Sequence, residues 1–140
     1  AGARLGFGIG CAELISDLRT IKYSTNPYNV NRMTMAAGTA ALLDNDYYMD
    51  NCRKIIETRE DTKRELAALG FAVTDSKANF LFAASDKIGG EALYRELKRR
   101  GILIRHFGAE RIRNYNRITI GTPEEMAVLI REIKSILGGR

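Results

Sequence analysis

Residues that commonly bind metals are scarce in this chain of 140 residues, which has one histidine and two cysteines. Cys11 and Cys52 do not form a CxxC pair, and no second histidine accompanies His106. A zinc site of recognisable spacing is therefore excluded, and we predict no bound metal. We expect the cysteines to be buried small apolar side chains and His106 to be an ordinary surface or loop residue.

Long apolar runs are also missing. Every apolar stretch is short and interrupted by charge, whereas a membrane-spanning helix needs about 20 consecutive apolar residues. We therefore exclude a membrane protein. The chain begins without a methionine and without the basic and apolar zones of a signal peptide. We expect it to be part of a longer protein that works in a reducing cytoplasm.

The composition is that of a folded domain, with 45% hydrophobic and 28% charged residues. The net charge is +5, and the cations are concentrated in one stretch that contains only two acids, Glu96 and Glu110. This local excess indicates either an anionic ligand or a solvated face. The cations of the stretch are Arg95, Lys98, Arg99, Arg100, Arg105, Arg111, Arg113 and Arg117.

The first part of the chain has weak structural signals. Bulky apolar residues alternate with glycines over 5–9, and this period of two predicts a strand. A short helix is predicted over 12–21. A second helix begins near Asn31, with Asn29 or Asn31 as the capping residue.

Stronger periodicity follows from residue 45. A long helix is predicted up to Gly70, a residue type that commonly ends helices. Short strands are then expected at 71–74, 78–83, 102–105 and 117–120, with helices at 90–100 and from Pro123 onward. Alternating strands and helices favour an α/β or α+β fold. We place one compact domain at 45–140 and assign 1–44 to a neighbouring domain.

Arg105 and Arg117 are the cations of most interest, because isoleucines flank each of them at the edge of a predicted strand. The planar guanidinium group suits a carboxylate or a phosphate. A structural ion pair and a ligand site are both compatible with this pattern. The cations at the end of the 90–100 helix complement the helix dipole and need no ligand.

Five segments occur together in the order and spacing found in the histidinol-phosphate aminotransferases, and the chain resembles that family over essentially its whole length. The segments are AGARLGFGIG at 1–10, PYNVN at 27–31, SKANF at 76–80, GILIR at 101–105 and RITIGT at 117–122.

This resemblance implies the α+β small C-terminal domain of a fold-type I pyridoxal-phosphate-dependent transferase at 45–140. Residues 1–44 would be the end of the large domain that binds the cofactor, pyridoxal 5'-phosphate. The catalytic Schiff-base lysine would lie upstream of Ala1. We therefore expect no catalytic residue in this chain, and neither activity nor retained cofactor when the chain is alone.

The resemblance also implies roles for five residues. Arg4 matches an arginine that binds the phosphate of the cofactor. Arg117 matches an arginine that binds the phosphate of the substrate, and Arg105 matches its companion. Asn79 and Tyr28 fall in segments that line the substrate site.

The implied reaction converts histidinol phosphate and 2-oxoglutarate into imidazole acetol phosphate and glutamate, in histidine biosynthesis. The implied enzyme is a cytoplasmic homodimer without nucleic-acid or membrane partners. A threonine-phosphate decarboxylase and an aromatic aminotransferase share much of the pattern. A small basic nucleic-acid-binding module is the alternative of another class, but only Phe107 and Tyr115 interleave with the basic stretch.

Overall fold

A computed structural model describes residues 3–138, and the chain forms two compact units, Ala1–Met49 and Asp50–Arg140. The described elements include both helices and an antiparallel sheet, so the mixed fold class is confirmed. The helices are α1 (Ala12–Thr25), α2 (Arg32–Leu43), α3 (Asn45–Ala68), α4 (Gly90–Arg99) and α5 (Pro123–Gly138), and the strands are β1 (Phe71–Val73), β2 (Phe80–Ser85), β3 (Arg105–His106) and β4 (Tyr115–Thr119).

Two helices account for most of the first unit. Helix α1 confirms the predicted helix and continues beyond it to Thr25. Before α2, the side-chain oxygen of Asn31 accepts a hydrogen bond from the Thr34 N–H at 2.8 Å. Asn31, rather than Asn29, is therefore the N-cap, because it satisfies an amide that has no partner inside the helix.

The predicted strand at 5–9 is wrong. Residues 4–11 have no regular secondary structure, and Phe7 and Ile9 are exposed. An alternating pattern indicates which side chains would share a face, but a strand also needs a neighbour for its N–H and C=O groups. None of the strands in the described part of the chain pairs with this segment.

Helix α3, with 24 residues, is the long helix that the periodicity predicts. Beyond its last residue, Gly70 adopts a φ of 90°. This left-handed conformation strains residues that carry a Cβ, which explains why glycine ends the helix and leads into β1.

The sheet has the order β1-β2-β4-β3, and each neighbouring pair is antiparallel. Because side chains alternate along a strand, one face is buried against the helices and the other is at least partly exposed. Leu81 and Ile118 lie on the buried face. We call the other side the open face, and it carries Phe80, Phe82, Ala84, Arg105, Tyr115, Arg117 and Thr119.

A single apolar core joins the sheet to helices α3, α4 and α5. Leu66, Leu81, Leu97 and Ile133 have no exposed surface. Burial of such a side chain is worth about 1.5 to 3 kcal/mol, so this core is the main source of stability for the second unit. Its buried members are Leu66, Phe71, Leu81, Ala83, Ile88, Leu93, Leu97, Ile118, Ile120, Leu129, Ile130, Ile133 and Ile136.

The strands that carry the two arginines differ from the prediction in their limits. The N–H of Ile102 donates to the Leu97 carbonyl at 2.9 Å and helps to end α4, and β3 begins only at Arg105. Strand β4 begins two residues earlier than predicted, at Tyr115. Arg117 therefore lies within an inner strand, whereas Arg105 lies on an outer strand.

Three side-chain expectations are also wrong. Cys11 and Cys52 are exposed rather than buried. His106 is half-buried within β3 rather than a surface or loop residue. Its ring lies against Tyr94, with 6.2 Å between ring centroids.

Candidate functional site

Arg105 and Arg117 lie directly opposite each other on adjacent strands. Their Cα atoms are partners in the register of β3 and β4, and both side chains are exposed on the open face. Like charges that face each other across a sheet are destabilising. We call these two residues the arginine pair, and their placement creates a concentrated positive charge.

Aromatic rings, rather than carboxylates, accompany the arginine pair. The guanidinium carbon of Arg117 lies 5.5 Å from the ring centroid of Phe80, and that of Arg105 lies 5.7 Å from the ring centroid of Phe107. Both distances are within the range of a cation–π contact. Such a contact attracts the cation without the negative charge that a carboxylate would bring, so the charge of the arginine stays available to an anion.

Further aromatic contacts hold Phe107 in place. Its ring makes a T-shaped contact with Phe82 at a centroid distance of 5.9 Å, and Phe82 stacks on Tyr115 at 4.7 Å. Phe82 is also the Cα partner of Arg117. The arginine pair therefore lies beside a packed aromatic cluster of Phe82, Phe107 and Tyr115.

Several exposed arginines on the helices of the second unit have acidic partners. Arg64 pairs with Asp61 and Arg95 pairs with Glu91, each about one helical turn apart. Within residues 3–138, neither member of the arginine pair has such a carboxylate partner. The structural ion pair considered for Arg105 and Arg117 is thus not formed within the described part of the chain.

Asn79 is the last residue of the loop before β2 and precedes Phe80, the ring that contacts Arg117. The Asn79 carbonyl accepts a hydrogen bond from the Ile120 N–H at 2.9 Å, which fixes the backbone, while the residue itself is exposed. On the other side of the loop, Arg59 donates from Nη1 to the Ala78 carbonyl at 3.0 Å.

An ion pair also holds this loop to α3. Lys63 Nζ donates to Asp75 Oδ1 at 2.5 Å. The hydrogen bond lowers the pKa of Asp75 and raises the pKa of Lys63 from their ordinary values. Both groups are therefore charged over the physiological range, although an exposed pair of this kind adds little stability.

Arg4 and Tyr28 belong to the first unit. Arg4 is exposed, has a φ of 54° and has no ion pair with the described carboxylates. Its neighbour Leu5 packs against Gly38 of α2, where an added Cβ would collide with the leucine side chain. Tyr28 follows Pro27 in a turn and is 92% exposed.

The cations at the end of α4 have structural partners, as the sequence predicts. Arg99 pairs with Glu96, Arg100 donates to Glu132 at 2.9 Å, and the Lys98 ammonium lies 5.7 Å from the Tyr94 ring centroid. The cationic stretch thus contains these helix residues, the arginine pair, and Arg111 and Arg113 in the segment between β3 and β4.

Two polar atoms beneath the arginine pair lack hydrogen-bond partners within the described residues. They are Nδ1 of His106 and Oδ1 of Asn116, whose Cα atoms are cross-strand partners. Asn116 is almost fully buried, and its Nδ2 donates to the Gly90 carbonyl at 2.9 Å. Sequence reasoning overlooked Asn116, although a polar residue between Tyr115 and Arg117 at an inward position was a visible signal.

No group of His, Cys, Asp and Glu side chains suitable for a metal occurs among residues 3–138. In the same residues, no helix is both long enough and apolar enough to cross a membrane.

Residues 1–133 match the family described as aminotransferase class I and II. A curated relative, the histidinol-phosphate aminotransferase of Brachyspira hyodysenteriae, is 50% identical over 137 residues. The matched region is 98% of this chain but only 39% of that protein.

Two solved structures share the fold. The histidinol-phosphate aminotransferase from Clostridium acetobutylicum matches with a TM-score of 0.83 and 28% identity, covering 99% of this chain and 42% of that chain. The enzyme from Sinorhizobium meliloti, in complex with pyridoxal-5'-phosphate, matches with a TM-score of 0.76 and 26% identity, covering 89% and 34%. The predicted fold-type I aminotransferase architecture is therefore confirmed.

Proposed function

We propose that this chain, which belongs to the class I and II aminotransferase family, is the substrate-phosphate-binding part of a histidinol-phosphate aminotransferase. The proposed reaction exchanges the amino group of histidinol phosphate with 2-oxoglutarate and yields imidazole acetol phosphate and glutamate. The name of the 50% identical relative supports this assignment. Residues 45–140 would form the small domain, and 1–44 would complete the large cofactor-binding domain.

The arginine pair carries the proposal. The two arginines are cross-strand partners on the open face, and neither has a described carboxylate partner. A phosphate monoester is nearly dianionic near neutral pH, and its oxygens accept the paired N–H groups that each arginine presents. Binding of one phosphate would relieve the repulsion within the pair and fix the position of the substrate.

Asn79 and Tyr28 are proposed to contact the substrate as well. Asn79 is exposed at the start of the strand that carries Phe80, and its backbone is held by Ile120. Its side-chain amide can therefore form hydrogen bonds with a ligand. Tyr28 offers an exposed hydroxyl group in the first unit.

Pyridoxal 5'-phosphate is the proposed cofactor, and Arg4 is its proposed phosphate contact. The Arg4 guanidinium fits an oxyanion because it is exposed and has no described carboxylate partner. When bound, the cofactor supplies the electron sink for the reaction at the α-carbon, whereas the protein supplies binding and orientation. The contribution of this chain would be to hold two phosphates, one through Arg4 and one through the arginine pair.

The alternative functions receive less support. An aromatic aminotransferase acts on substrates without phosphate and would not need two unpaired arginines. The name of the 50% identical relative favours an aminotransferase over a threonine-phosphate decarboxylase. For a nucleic-acid module, rings should be free to stack on bases, but Phe82 already stacks on Tyr115, and Phe80 lies by Arg117.

The decisive test replaces Arg117 with lysine in the complete protein that carries this chain. Lysine keeps the charge but cannot form the two aligned hydrogen bonds of a guanidinium. We expect kcat/KM for histidinol phosphate to fall roughly tenfold to a hundredfold, with little change in Tm.

The matched control is Arg111→Lys, an exposed arginine of the same basic stretch, which should leave kcat/KM unchanged. A fall in Tm with unchanged kcat/KM for Arg117→Lys would instead assign this residue a structural role.

A cytoplasmic homodimer is the proposed assembly. Helix α1 has no buried residue, and Leu14, Leu18 and Ile21 are each more than half exposed on it. Apolar side chains at this spacing form a stripe that either the rest of the longer protein or a second copy can cover. Light scattering on the complete protein should give the mass of two chains, and the mass of a monomer would refute the proposal.

A further inference from the structure

The arginine pair faces a physical problem before any ligand binds. Two long cationic side chains on adjacent strands repel each other and have many rotamers, whose loss opposes binding. A carboxylate partner would order them, as Asp61 does for Arg64 on α3. That carboxylate would also compete with an incoming anion.

Aromatic rings solve both parts of this problem. Phe80 lies 5.5 Å from the guanidinium carbon of Arg117, and Phe107 lies 5.7 Å from that of Arg105. A ring attracts a guanidinium through its negative face but brings no anionic group that an incoming anion would have to displace. The charge therefore stays available for an anion while the side chain is held.

The rings are themselves held in place. Phe107 packs against Phe82, which stacks on Tyr115 with an interplanar angle of 15°. Phe80 belongs to β2 and has Thr119 of β4 as its Cα partner. Both rings are only partly exposed, so neither can swing away freely from its arginine.

We infer that Phe80 and Phe107 are positioning residues, which hold the guanidinium groups of Arg117 and Arg105 in place so that both are presented to one phosphate group. The inference rests on the proposed function, because it assigns the anion to the arginine pair. It adds two residues that do not touch the anion but set the geometry with which the arginines meet it.

The first experiment measures the motion of the arginine side chains without any ligand. NMR relaxation of the Arg117 Nε–Hε group is compared between the unchanged protein and Phe80→Leu. Leucine keeps the site apolar but removes the ring, so Arg117 should become distinctly more mobile, while Phe80→Tyr should keep it ordered. Phe107→Leu should have the corresponding effect on Arg105.

The second experiment measures steady-state kinetics in the complete protein that carries this chain. Phe80→Leu should raise KM for histidinol phosphate about threefold to tenfold, the range expected for loss of a cation–π contact, with kcat within about twofold. Phe80→Tyr should restore KM. The control is Tyr23→Leu, which removes a ring near Lys22 in the first unit and should leave Arg117 motion and KM unchanged.

The outcomes distinguish the positioning role of the rings from the phosphate-binding function of the arginine pair. Unchanged motion of Arg117 in Phe80→Leu and of Arg105 in Phe107→Leu, together with unchanged KM in Phe80→Leu, would overturn the inference, even if Arg117→Lys impairs catalysis. Increased Arg117 motion in Phe80→Leu, together with a harmless Arg117→Lys substitution, would confirm the positioning role but refute the phosphate-binding function. Circular dichroism of each variant identifies any rise in KM that comes from misfolding.

Discussion

The guanidinium group of Arg59 connects the middle of α3 to the carbonyl group of Ala78, with 3.0 Å between Nη1 and the oxygen. Arg59 is only 5% exposed, and its Nε and Nη2 both donate to Oε1 of Glu60. The contact fixes the loop that ends at Asn79, the residue proposed to face the substrate.

Replacement of Arg59 by methionine should destabilise the second unit by about 2 to 3 kcal/mol, because three charge-assisted hydrogen bonds disappear and the Ala78 carbonyl loses its donor. Arg64→Met is the matched control on the same helix, since its ion pair with Asp61 is exposed and should contribute less than about 0.5 kcal/mol. Denaturant unfolding measures both changes. Equal losses in the two variants would contradict the role given to Arg59.

Gly90 should not tolerate a methyl group. An added Cβ would lie 2.7 Å from the Arg113 carbonyl oxygen and 2.8 Å from backbone atoms of Asn114. Backbone cannot give way as a side chain can, so Gly90→Ala should cost about 1 to 3 kcal/mol despite the higher helix propensity of alanine.

Gly108→Ala provides the control, because a Cβ at Gly108 would meet no atom within 4 Å. Thermal unfolding should show a clearly lowered Tm for Gly90→Ala and almost no change in Tm for Gly108→Ala. A Gly90→Ala protein as stable as the unchanged one would show that α4 can move away from the turn before β4.

The Arg100–Glu132 contact predicts a pH dependence. The hydrogen bond from Arg100, followed by that from Arg131, lowers the pKa of Glu132 from its ordinary value. A lowered pKa in the folded state means that the contact stabilises the protein above the unfolded-state pKa of about 4.3. This stabilisation is lost as the pH falls through the lower folded-state pKa.

The Glu132→Gln variant should therefore be less stable than the unchanged protein at neutral pH, and the stabilities of the two proteins should become equal in strong acid. Denaturant midpoints measured from pH 7 to pH 2 test this convergence. Glu57→Gln, on the exposed side of α3, should change stability little across the series. A stability difference for Glu132→Gln that stays constant down to pH 2 would contradict the prediction.

Local patterns were sufficient to predict the α-helices in the described part of the chain. Helix α3 follows from the long periodic run before Gly70, and α5 follows from the proline at its start. Both signals depend on residues that are close together in the sequence. The strand predicted at 5–9 is wrong because alternation indicates which side chains would share a face, but not whether another strand lies beside the segment. The same limit explains why β3 was predicted three residues too early.

The site was only partly predictable for a related reason. Arg105 and Arg117 were found from their apolar flanks and from the resemblance to a family. The rings that accompany them come from distant positions in the sequence. Phe80 and Phe82 lie near Arg117 only because β2 pairs with β4, although α4 separates these two strands along the chain. Sequence spacing does not determine such a register, so the aromatic cluster and the role of Phe80 emerge only in the folded chain.

The outer strands of the sheet are short: β1 has three residues and β3 has two. Unpaired N–H and C=O groups on a long outer strand can recruit a strand from another molecule and so nucleate aggregates. Here, each edge offers room for very few such bonds. The sheet can therefore leave an apolar and basic face open without exposing a template on which further chains could assemble into fibrils.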